Sequence, residues 1–377
     1  MGKIIRLEST ITRSARVMQL EGLFDMDAEK NSVTEIEMNI PDLTTRDWNI
    51  GLIVGPSGAG KSTVAREMFP EKLRDTENMV WSKDKAIIDD FPADMAMREV
   101  TQLLSSVGFS SPRAWLRPYN ALSNGEQFRV TIARVLAENA DLSVVDEFTS
   151  VIDRTVAQIG SHAIASTVRK RGQKFVAVGC HYDIQEWLQP DWIYEPHTGK
   201  FTWGSVQPRP QVKLEIIWAK YEAWHTFARH HYLDASLNKA AYVYVGLIND
   251  QPACLAAVLP MPNAHVRNAR RFSRNVVLPD FQGIGLGKYF LDAIGAGLVA
   301  QGLAVYATAS HPAQVHNFNK SPNWEMIRQP SRVAKQGTTS SLSSRMGVSR
   351  ARLTSSFRYR GEPDFELAQV LAPLPRK

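Results

Sequence analysis

The feature that most constrains this chain is one glycine-rich segment that reads GPSGAGKST. It follows the apolar run Ile50–Val54, which predicts a buried strand, and it precedes residues 64–69, which predict a helix. In that setting the loop directs backbone N–H groups at phosphate oxygens, and the helix adds the positive end of its dipole. Lys61 would reach the β- and γ-phosphates, and Ser62 would bind Mg²⁺. The segment therefore predicts a nucleoside triphosphate site formed by Gly55, Pro56, Ser57, Gly58, Ala59, Gly60, Lys61, Ser62 and Thr63.

Length and cysteine content narrow the class of protein. A chain of 377 residues, 44% of them hydrophobic, suggests two or three domains with ample cores. Two cysteines, Cys180 and Cys254, are too few for a disulfide framework, which indicates a reducing cytoplasm. The N-terminus is charged where a signal peptide would be apolar, and the longest apolar stretch, near residues 283–309, is broken by Lys288 and Asp292. We therefore expect a cytoplasmic protein with no secretion signal and no membrane span.

The net charge of +6 is unevenly distributed along the chain. Residues 1–210 hold 24 Lys and Arg against 28 Asp and Glu, whereas residues 211–377 hold 20 against 10. The second half is therefore the part that would contact an anionic polymer.

Four further residues in the first half suit phosphate chemistry. Ser123 precedes a predicted helix, where its hydroxyl and free N–H groups would form a second anion site for a phosphate from outside the subunit. Asp146 and Glu147 end an apolar strand, where the first carboxylate can hold Mg²⁺ and the second can orient or deprotonate a water. A lone histidine such as His181 is more often structural, but its place after a strand downstream of Asp146 favours a functional role.

In their order along the chain, these segments resemble the motifs of an ABC-type ATPase over about residues 1–205. The Walker A motif corresponds to residues 55–63, the signature to residues 122–127, Walker B to residues 142–147, the D-loop to residues 150–153 and the switch histidine to His181. The resemblance implies that two such domains close head to tail around ATP. Ser123 and Gly125 of one subunit would then contact the γ-phosphate held by Lys61 of the other, so we expect a homodimer.

Three departures from that family argue against a transporter. The signature has Asn124 where transporters usually have glycine and Glu126 where they usually have glutamine, which is closer to the DNA-repair and chromosome-maintenance branch. Lys61 and Ser123 are only 62 positions apart, so the subdomain that grips membrane subunits is short. No glutamine between Trp81 and Asp90 would serve as the γ-phosphate sensor.

The sequence after residue 211 predicts another alternation of strands and helices. We expect a helix carrying Trp218, Trp224 and Phe227, and a hairpin of strands 241–248 and 253–259. The remaining expected elements are a strand ending near residues 276–278, a helix over 288–300, a strand over 303–309 and a short helix over 313–319.

A second glycine-rich loop lies between the strand that ends near residue 278 and the helix that follows it. Alone, such a loop is weak evidence, since a close strand-to-helix turn needs the same residues. With the surrounding elements it resembles the acyl-CoA-binding core of the GNAT N-acyltransferases over about residues 212–360. That resemblance implies that acetyl-CoA or another acyl-CoA binds the N–H groups of Gln282, Gly283, Ile284, Gly285, Leu286 and Gly287. The base that takes the amine proton stays open among His230, His231, Tyr232, His311, His316 and Asn317.

Basic residues in the second half form two clusters within acid-free stretches. The first contains His265, Arg267, Arg270, Arg271 and Arg274, and the second contains Arg332, Lys335, Arg345, Arg350, Arg352, Arg358 and Arg360. With Phe272, Phe357 and Tyr359 as stacking groups they could contact nucleic acid, although a solvated basic face or the phosphates of CoA would also explain them.

The sequence thus predicts an α/β protein in which a P-loop ABC-type ATPase domain (1–206) is followed by a linker (207–212), a GNAT-like acyltransferase domain (213–360) and a tail (361–377). The combination resembles fusion proteins of phages and mobile elements and, distantly, the Mom-type enzymes that modify DNA bases. We expect ATP hydrolysis coupled to acyl transfer onto an amine of nucleic acid. A nucleic-acid-binding maintenance or defence module with an inactive GNAT-like domain is the alternative, and a protein-acetylating regulator is a third possibility.

Overall fold

The structure, a computed structural model, describes residues 3–10, 12–24, 31–76, 78–204, 212–231, 236–261, 266, 268–332 and 353–371. The strands are β1 (Lys3–Thr10), β2 (Asn31–Met38), β3 (Ile50–Val54), β4 (Leu73–Arg74), β5 (Leu142–Val145), β6 (Lys174–Gly179), β7 (Trp192–Glu195), β8 (Lys200–Trp203), β9 (Glu215–Ala219), β10 (Tyr242–Ile248), β11 (Gln251–Pro260), β12 (Ala269–Val277), β13 (Ala304–Ala309), β14 (Trp324–Arg332) and β15 (Leu353–Tyr359). The helices are α1 (Ala15–Phe24), α2 (Lys61–Met68), α3 (Met97–Ser106), α4 (Pro112–Trp115), α5 (Asn124–Glu138), α6 (Arg154–Arg171), α7 (Ile184–Leu188), α8 (Trp224–Phe227), α9 (Leu286–Ala300), α10 (Pro312–Lys320) and α11 (Phe365–Leu371).

The chain divides into two compact units, each discontinuous in sequence. The first unit consists of residues 1–80, 134–152 and 165–210, and the second of residues 81–133, 153–164 and 211–377. The predicted linker falls almost wholly outside the described residues, so the predicted domain boundaries stay predictions.

The first unit is built on a six-stranded sheet with the order β4-β5-β6-β3-β7-β8. Strand β3 runs parallel to both β6 and β7, and all five of its residues are buried. A continuous apolar strand is what a parallel sheet covered on both faces requires. The carboxyl end of β3, from which the glycine-rich loop starts, therefore lies between the ends of two parallel neighbours.

A small antiparallel pair, β1 with β2, precedes that sheet in the chain and contributes Ile36 to the core of the first unit. The alternation of polar and apolar residues over most of 32–40 predicts a strand here, but no sequence pattern predicts helix α1 between β1 and β2. None of the described residues of α1 is buried, and Leu23 and Phe24 are among its exposed side chains. The helix was missed because it has no buried apolar stripe to signal it.

The second unit contains a seven-stranded sheet with the order β14-β15-β13-β12-β11-β10-β9. Neighbouring strands are antiparallel except β12 and β13, which run parallel and are connected through α9. Helix α9 packs Phe290, Ile294 and Leu298 into the core of this unit. Because β12 and β13 pair only between Ala269–Arg271 and residues 304–306, their carboxyl ends are not joined by backbone hydrogen bonds.

Most predicted elements of the second half lie close to their observed bounds. The hairpin of β10 and β11 turns at Asn249 and Asp250, whose φ angles of 50° and 62° are those a tight two-residue turn requires. The prediction for Trp218 was wrong, since it lies on strand β9 rather than on the helix that carries Trp224. Strand β9 pairs with β10, and this long-range pairing outweighs the helical spacing of the aromatic residues.

Candidate functional site

The glycine-rich loop of the first unit has the backbone that a phosphate cradle needs. Gly58 and Gly60 have φ angles of 79° and 77°, and Gly60 caps α2 in the left-handed conformation. Lys61, which is only 7% exposed, donates a hydrogen bond of 2.9 Å from Nζ to the carbonyl of Pro56. The ammonium group is thus folded back over the loop, where phosphate oxygens would bind.

A hydroxyl and a carboxylate meet beside this loop. Ser62 Oγ donates to Asp146 Oδ1 over 3.1 Å, although the two residues are 84 positions apart. Asp146 directly follows β5, and its Oδ1 also accepts a 3.0 Å hydrogen bond from the backbone N–H of Glu147. A hydrated Mg²⁺ ion uses few protein oxygens and takes the rest from phosphates and water, so this donor pair fits it.

Glu147 stands in an unusual backbone conformation next to that pair. Its φ is 49°, and Thr149 has a φ of 67°, which non-glycine residues seldom adopt. Its carboxylate is exposed and accepts a 2.6 Å hydrogen bond from Ser150 Oγ. The turn therefore holds a carboxylate at the mouth of the loop, ready to accept a proton or orient a water.

Part of this set lines one cavity of about 720 Å³ in the first unit. Ser57 to Thr63 and Glu147 form part of its wall. The rest of the wall, which the sequence analysis missed, comes from Glu35, Ile36, Asn39, Pro196, His197, Thr198 and Gly199. The turn at Gly199 connects β7, the neighbour of β3, to β8, and this turn was the signal that could have indicated residues 196–199.

His181 lies after β6, the strand between β5 and β3, and is half-buried. The end of β6 is close to Glu147, because the N–H of Phe148 donates to the carbonyl of Val178 over 2.8 Å. His181 is not among the described residues that line the cavity, so the structure brings Lys61 and Glu147 together but leaves this histidine outside the wall.

Ser123 and Glu126 form a capping box at the start of α5, in the second unit. The backbone N–H of Ser123 donates to Glu126 Oε2 over 2.9 Å, and its hydroxyl donates to the same oxygen over 3.1 Å. A Cβ atom on Gly125 would lie 3.0 Å from Asp280 Oδ1, so a carboxylate from the loop after β12 faces this turn. The predicted role of Ser123 and Gly125 toward an external phosphate stays a prediction.

The second glycine-rich loop repeats the backbone pattern of the first. Gly283 and Gly285 have φ angles of 96° and 79°, and Gly285 caps α9 in the left-handed conformation. The loop is tightly packed at Gly283, where a Cβ atom would lie 2.6 Å from the Cα of Gly108 and 2.7 Å from the Cβ of Ala163. No described atom lies within 4 Å of a Cβ on Gly285, so the loop has open space at this residue.

Side chains fix this loop to residues 108–129 of the same unit. Gln282 Oε1 accepts a 2.6 Å hydrogen bond from the N–H of Ser110, and its Nε2 donates to the carbonyl of Val277 over 2.9 Å. The fully buried Arg129 donates to the carbonyls of Pro279 and Asp280. Burial lowers the pKa of Arg129 to about 10, which leaves the guanidinium charged at neutral pH.

The candidate bases of the second unit differ in environment. Burial, and then Arg229, lowers the pKa of His230, and burial lowers the pKa of His311, whose ring centroid lies 6.5 Å from that of Trp115. His231 is buried with its ring 5.9 Å from Trp224, whereas His316 and Asn317 are exposed. Tyr232 is outside the described residues, and the geometry selects none of these groups.

The basic clusters are described only in part. Arg270, Arg271 and Arg274 lie on β12, where Arg274 donates to the carbonyl of Ser236 over 2.9 Å. The guanidinium of Arg358 lies 5.9 Å from the ring centroid of Tyr306. His265, Arg267, Lys335, Arg345, Arg350 and Arg352 lie outside the described residues.

Comparison with curated proteins finds relatives of part of the chain. The chain is 27% identical over 208 residues to the energy-coupling factor transporter ATP-binding protein EcfA1 of Staphylococcus aureus, covering 45% of this chain and 72% of EcfA1. It is also 27% identical over 180 residues to the mycobactin import ATP-binding/permease protein IrtB of Mycolicibacterium thermoresistibile, covering 38% of this chain. About 45% of the chain is thus homologous to the ATP-binding cassette of ABC ATPases.

The extent of these matches is limited. The chain spans 31% of the length of two of the curated relatives that it matches, IrtB among them. No family model matches the chain. Among solved structures, cbiO1 from Clostridium perfringens gives a TM-score of 0.37 at 18% identity and covers 47% of this chain and 82% of cbiO1. The ABC transporter cassette MJ0796 gives 0.36 at 16% identity and covers 46% of this chain and 92% of MJ0796.

Across the described part of the chain, no helix combines the length and the apolar character needed to cross a membrane.

Proposed function

We propose that the cavity of the first unit binds ATP with Mg²⁺ and hydrolyses it. The observation that carries the proposal is the convergence of Lys61, Ser62 and Glu147 on one cavity, with Asp146 hydrogen-bonded to Ser62, together with homology to ABC ATPases. In this scheme Lys61 leaves the Pro56 carbonyl for the β- and γ-phosphate oxygens. Ser62 and Asp146 would hold Mg²⁺, which would neutralise charge on the phosphates.

Glu147 acts on the attacking water in this scheme. Its carboxylate turns from Ser150 to accept a hydrogen bond from the water. It takes the water's proton as the bond from the water oxygen to the γ-phosphorus forms and the bond from that phosphorus to the ADP oxygen breaks. His181 would approach the γ-phosphate only after the end of β6 shifts toward the cavity. Ser123 and Gly125 would complete the site from a second copy of the chain, which makes a homodimer the active form.

The test is equilibrium binding of ATP in the presence and absence of Mg²⁺. We expect Lys61→Ala to weaken binding by at least tenfold, because the buried ammonium is removed from the phosphates. Lys72→Ala, which changes an exposed lysine of the same unit, should bind ATP as the unaltered chain does. Equal binding by both variants would refute the proposal.

Acyl transfer is a second candidate function, and it would belong to the second unit. Its support is the gap between the carboxyl ends of β12 and β13, because ligands of open α/β sheets bind beyond the carboxyl ends of parallel strands. The N–H groups from Ile284 to Gly287 would hold the pyrophosphate of acetyl-CoA. An amine of nucleic acid would attack the thioester carbon, CoA would leave as its thiolate as the carbon–sulfur bond breaks, and an unassigned base would take the amine proton. The basic residues of β12 would hold the polymer.

The alternative is that the second unit binds nucleic acid without acyl transfer, under control of ATP. The contacts of Gln282 and Gly283 with residues 108–111 favour it, because they use half of the loop for packing. Labelled acetyl-CoA separates the candidates: label on nucleic acid or on protein establishes transfer and its acceptor. Salt-sensitive nucleic-acid binding without binding of acetyl-CoA establishes the alternative. In either case the unpaired Cys180 and Cys254 fit a reducing cytoplasm.

A further inference from the structure

The seven-stranded sheet of the second unit has two faces with different surroundings. On strands β13 and β15, Val305, Ala307 and Phe357 are buried in the core that α9 forms with the sheet. The side chains that alternate with them point the other way, and there Thr308 is exposed and Arg358 is half-buried. Helix α8 packs on this second face over β10 and β11. The part of the second face over β12, β13, β15 and β14 is therefore accessible to a partner.

The register of the strands lines up polar side chains in two rows across this part. Arg271 of β12 pairs with Tyr306 of β13, which pairs with Arg358 of β15. In the next row Thr308 pairs with Ser356, which pairs with Arg328 of β14. Paired residues of neighbouring strands point to the same side of a sheet. We call this surface the open face, and it consists of Arg271, Tyr306, Thr308, Arg328, Ser356 and Arg358.

The open face carries positive charge that its own surroundings do not neutralise. Arg271 and Arg328 are exposed, and Arg358 is half-buried. Among the described residues, no carboxylate forms an ion pair with any of these three, whereas the neighbouring Arg360 pairs with Glu325 over 2.8 Å. Guanidinium groups bind phosphate oxygens through paired hydrogen bonds. The charge of the open face is thus complementary to that of a polyanion.

The aromatic residues that the sequence suggested as stacking groups do not belong to the open face. Phe272, Phe357 and Tyr359 are buried in the core on the other side of the sheet, so a base cannot reach them. Arg358 offers a planar group in their place, because its guanidinium lies 5.9 Å from the ring centroid of Tyr306. Bases stack on arginine planes as well as on aromatic rings.

The width of the open face favours a single strand over a duplex. Four neighbouring strands span about 14 Å, whereas a major groove is about 12 Å wide and admits a helix or a two-stranded ribbon. A single strand can instead lay its bases on a sheet. The hydroxyl groups of Thr308 and Ser356, 3.5 Å apart, can donate to or accept from the edges of such bases.

We propose that the open face binds single-stranded nucleic acid, with Arg271 on a phosphate and Arg358 against a base. This inference rests on the nucleic-acid candidates proposed for the second unit, because it names the surface that would hold the polymer and the form of that polymer.

The experiment measures binding of labelled oligo(dT), oligo(rU) and a DNA duplex to the full chain by fluorescence anisotropy at several salt concentrations. We expect Arg271→Gln to weaken single-strand binding about tenfold and to lower the slope of log affinity against log salt by about 0.7, the loss of one phosphate contact. Arg358→Lys should weaken binding about fivefold or more with the slope unchanged, because lysine keeps the charge but has no plane. Lys320→Gln is the matched control, because it removes an exposed charge from α10, which packs on the other face.

The outcomes separate the inference from the candidates on which it rests. Equal losses in Arg271→Gln and Lys320→Gln, or no loss in either, would overturn the open face as the interface while nucleic-acid binding stands. Tighter binding of the duplex than of both single strands would overturn the proposed form of the polymer. Failure of the unaltered chain to bind any of the three would overturn the inference and the nucleic-acid candidates together.

Discussion

Two carboxylates that are adjacent in sequence have different surroundings at the candidate site. Asp146 accepts hydrogen bonds from Ser62 Oγ and from the backbone N–H of Glu147, so its side chain is fixed beside Ser62. The Glu147 carboxylate is exposed and accepts a hydrogen bond from Ser150 Oγ within the same turn. The positive φ of Glu147 is what separates the directions of the two side chains.

Replacing Glu147 by glutamine should therefore stop hydrolysis without stopping ATP binding. We expect the rate of phosphate release to fall on the order of 10²-fold or more, because the group that positions the water loses its basicity. Single-turnover measurements with bound ATP test this. Glu186→Gln, an exposed residue of the same unit, serves as the control, and parallel losses of binding and turnover in Glu147→Gln would contradict the assignment.

His311 should contribute to the pH dependence of stability. Burial lowers its pKa below 6.5, so the unfolded chain takes up a proton more readily than the folded one. Stability should be complete above about pH 6.5 and decrease as the pH falls through the lowered pKa of the folded state. Urea denaturation of His311→Asn between pH 7 and pH 5 should show a smaller decrease than the unaltered chain, and an identical decrease would exclude this contribution.

At the scale of elements, β3 is the strand on which the site depends, and its packing leaves no room at Gly51. A Cβ atom there would lie 2.0 Å from the ring of Trp192, which is completely buried on β7. Trp192 also packs edge-on against Trp48 and face-on against Phe69. An aromatic cluster therefore fixes the strand that carries the glycine-rich loop.

Gly51→Ala should accordingly destabilise the first unit by about 1–3 kcal/mol, the usual effect of overpacking a core. Gly22→Ala is the matched control, because no described atom lies within 4 Å of its Cβ position and alanine favours the helix α1. Urea denaturation of both variants tests the argument. Equal unfolding midpoints would show that Trp192 does not constrain Gly51.

At the scale of the whole molecule, the sequence predicted features that depend on contiguous residues, but it did not predict contacts between residues distant in the chain. Lys61, Ser62 and Asp146 belong to motifs whose strand, loop and helix are contiguous, so the sequence alone located them. His197 lies against Gly55 and Asp280 lies against Gly125, residues distant from them in sequence, and no local pattern marks such contacts. For the same reason the sequence could not show that residues 81–133 belong to the unit that contains the C-terminal sheet.

Arg129 lies in residues 81–133 and contacts the loop after β12 within the same unit. Its buried guanidinium binds the carbonyls that follow β12, so Arg129→Ala would leave those carbonyls without donors and open a cavity. We expect a loss of about 3 kcal/mol or more in the free energy of unfolding of the second unit. Arg98→Ala, an exposed arginine on α3, should change it by less than about 0.5 kcal/mol, and similar effects of both variants would contradict the role of Arg129.

The central claim is that the cavity beside Lys61 is a Mg²⁺-dependent ATPase site. Phosphate release from ATP by the purified full chain, measured with Mg²⁺ and with EDTA, tests it most directly. We predict that the chain releases phosphate with Mg²⁺ and that EDTA abolishes this release. Asp146→Asn should reduce the rate of release on the order of 10²-fold. Asp183→Asn, which changes a half-buried acid in the same unit, should leave the rate unchanged. Phosphate release that persists in EDTA, or that Asp146→Asn does not lower, would contradict the account.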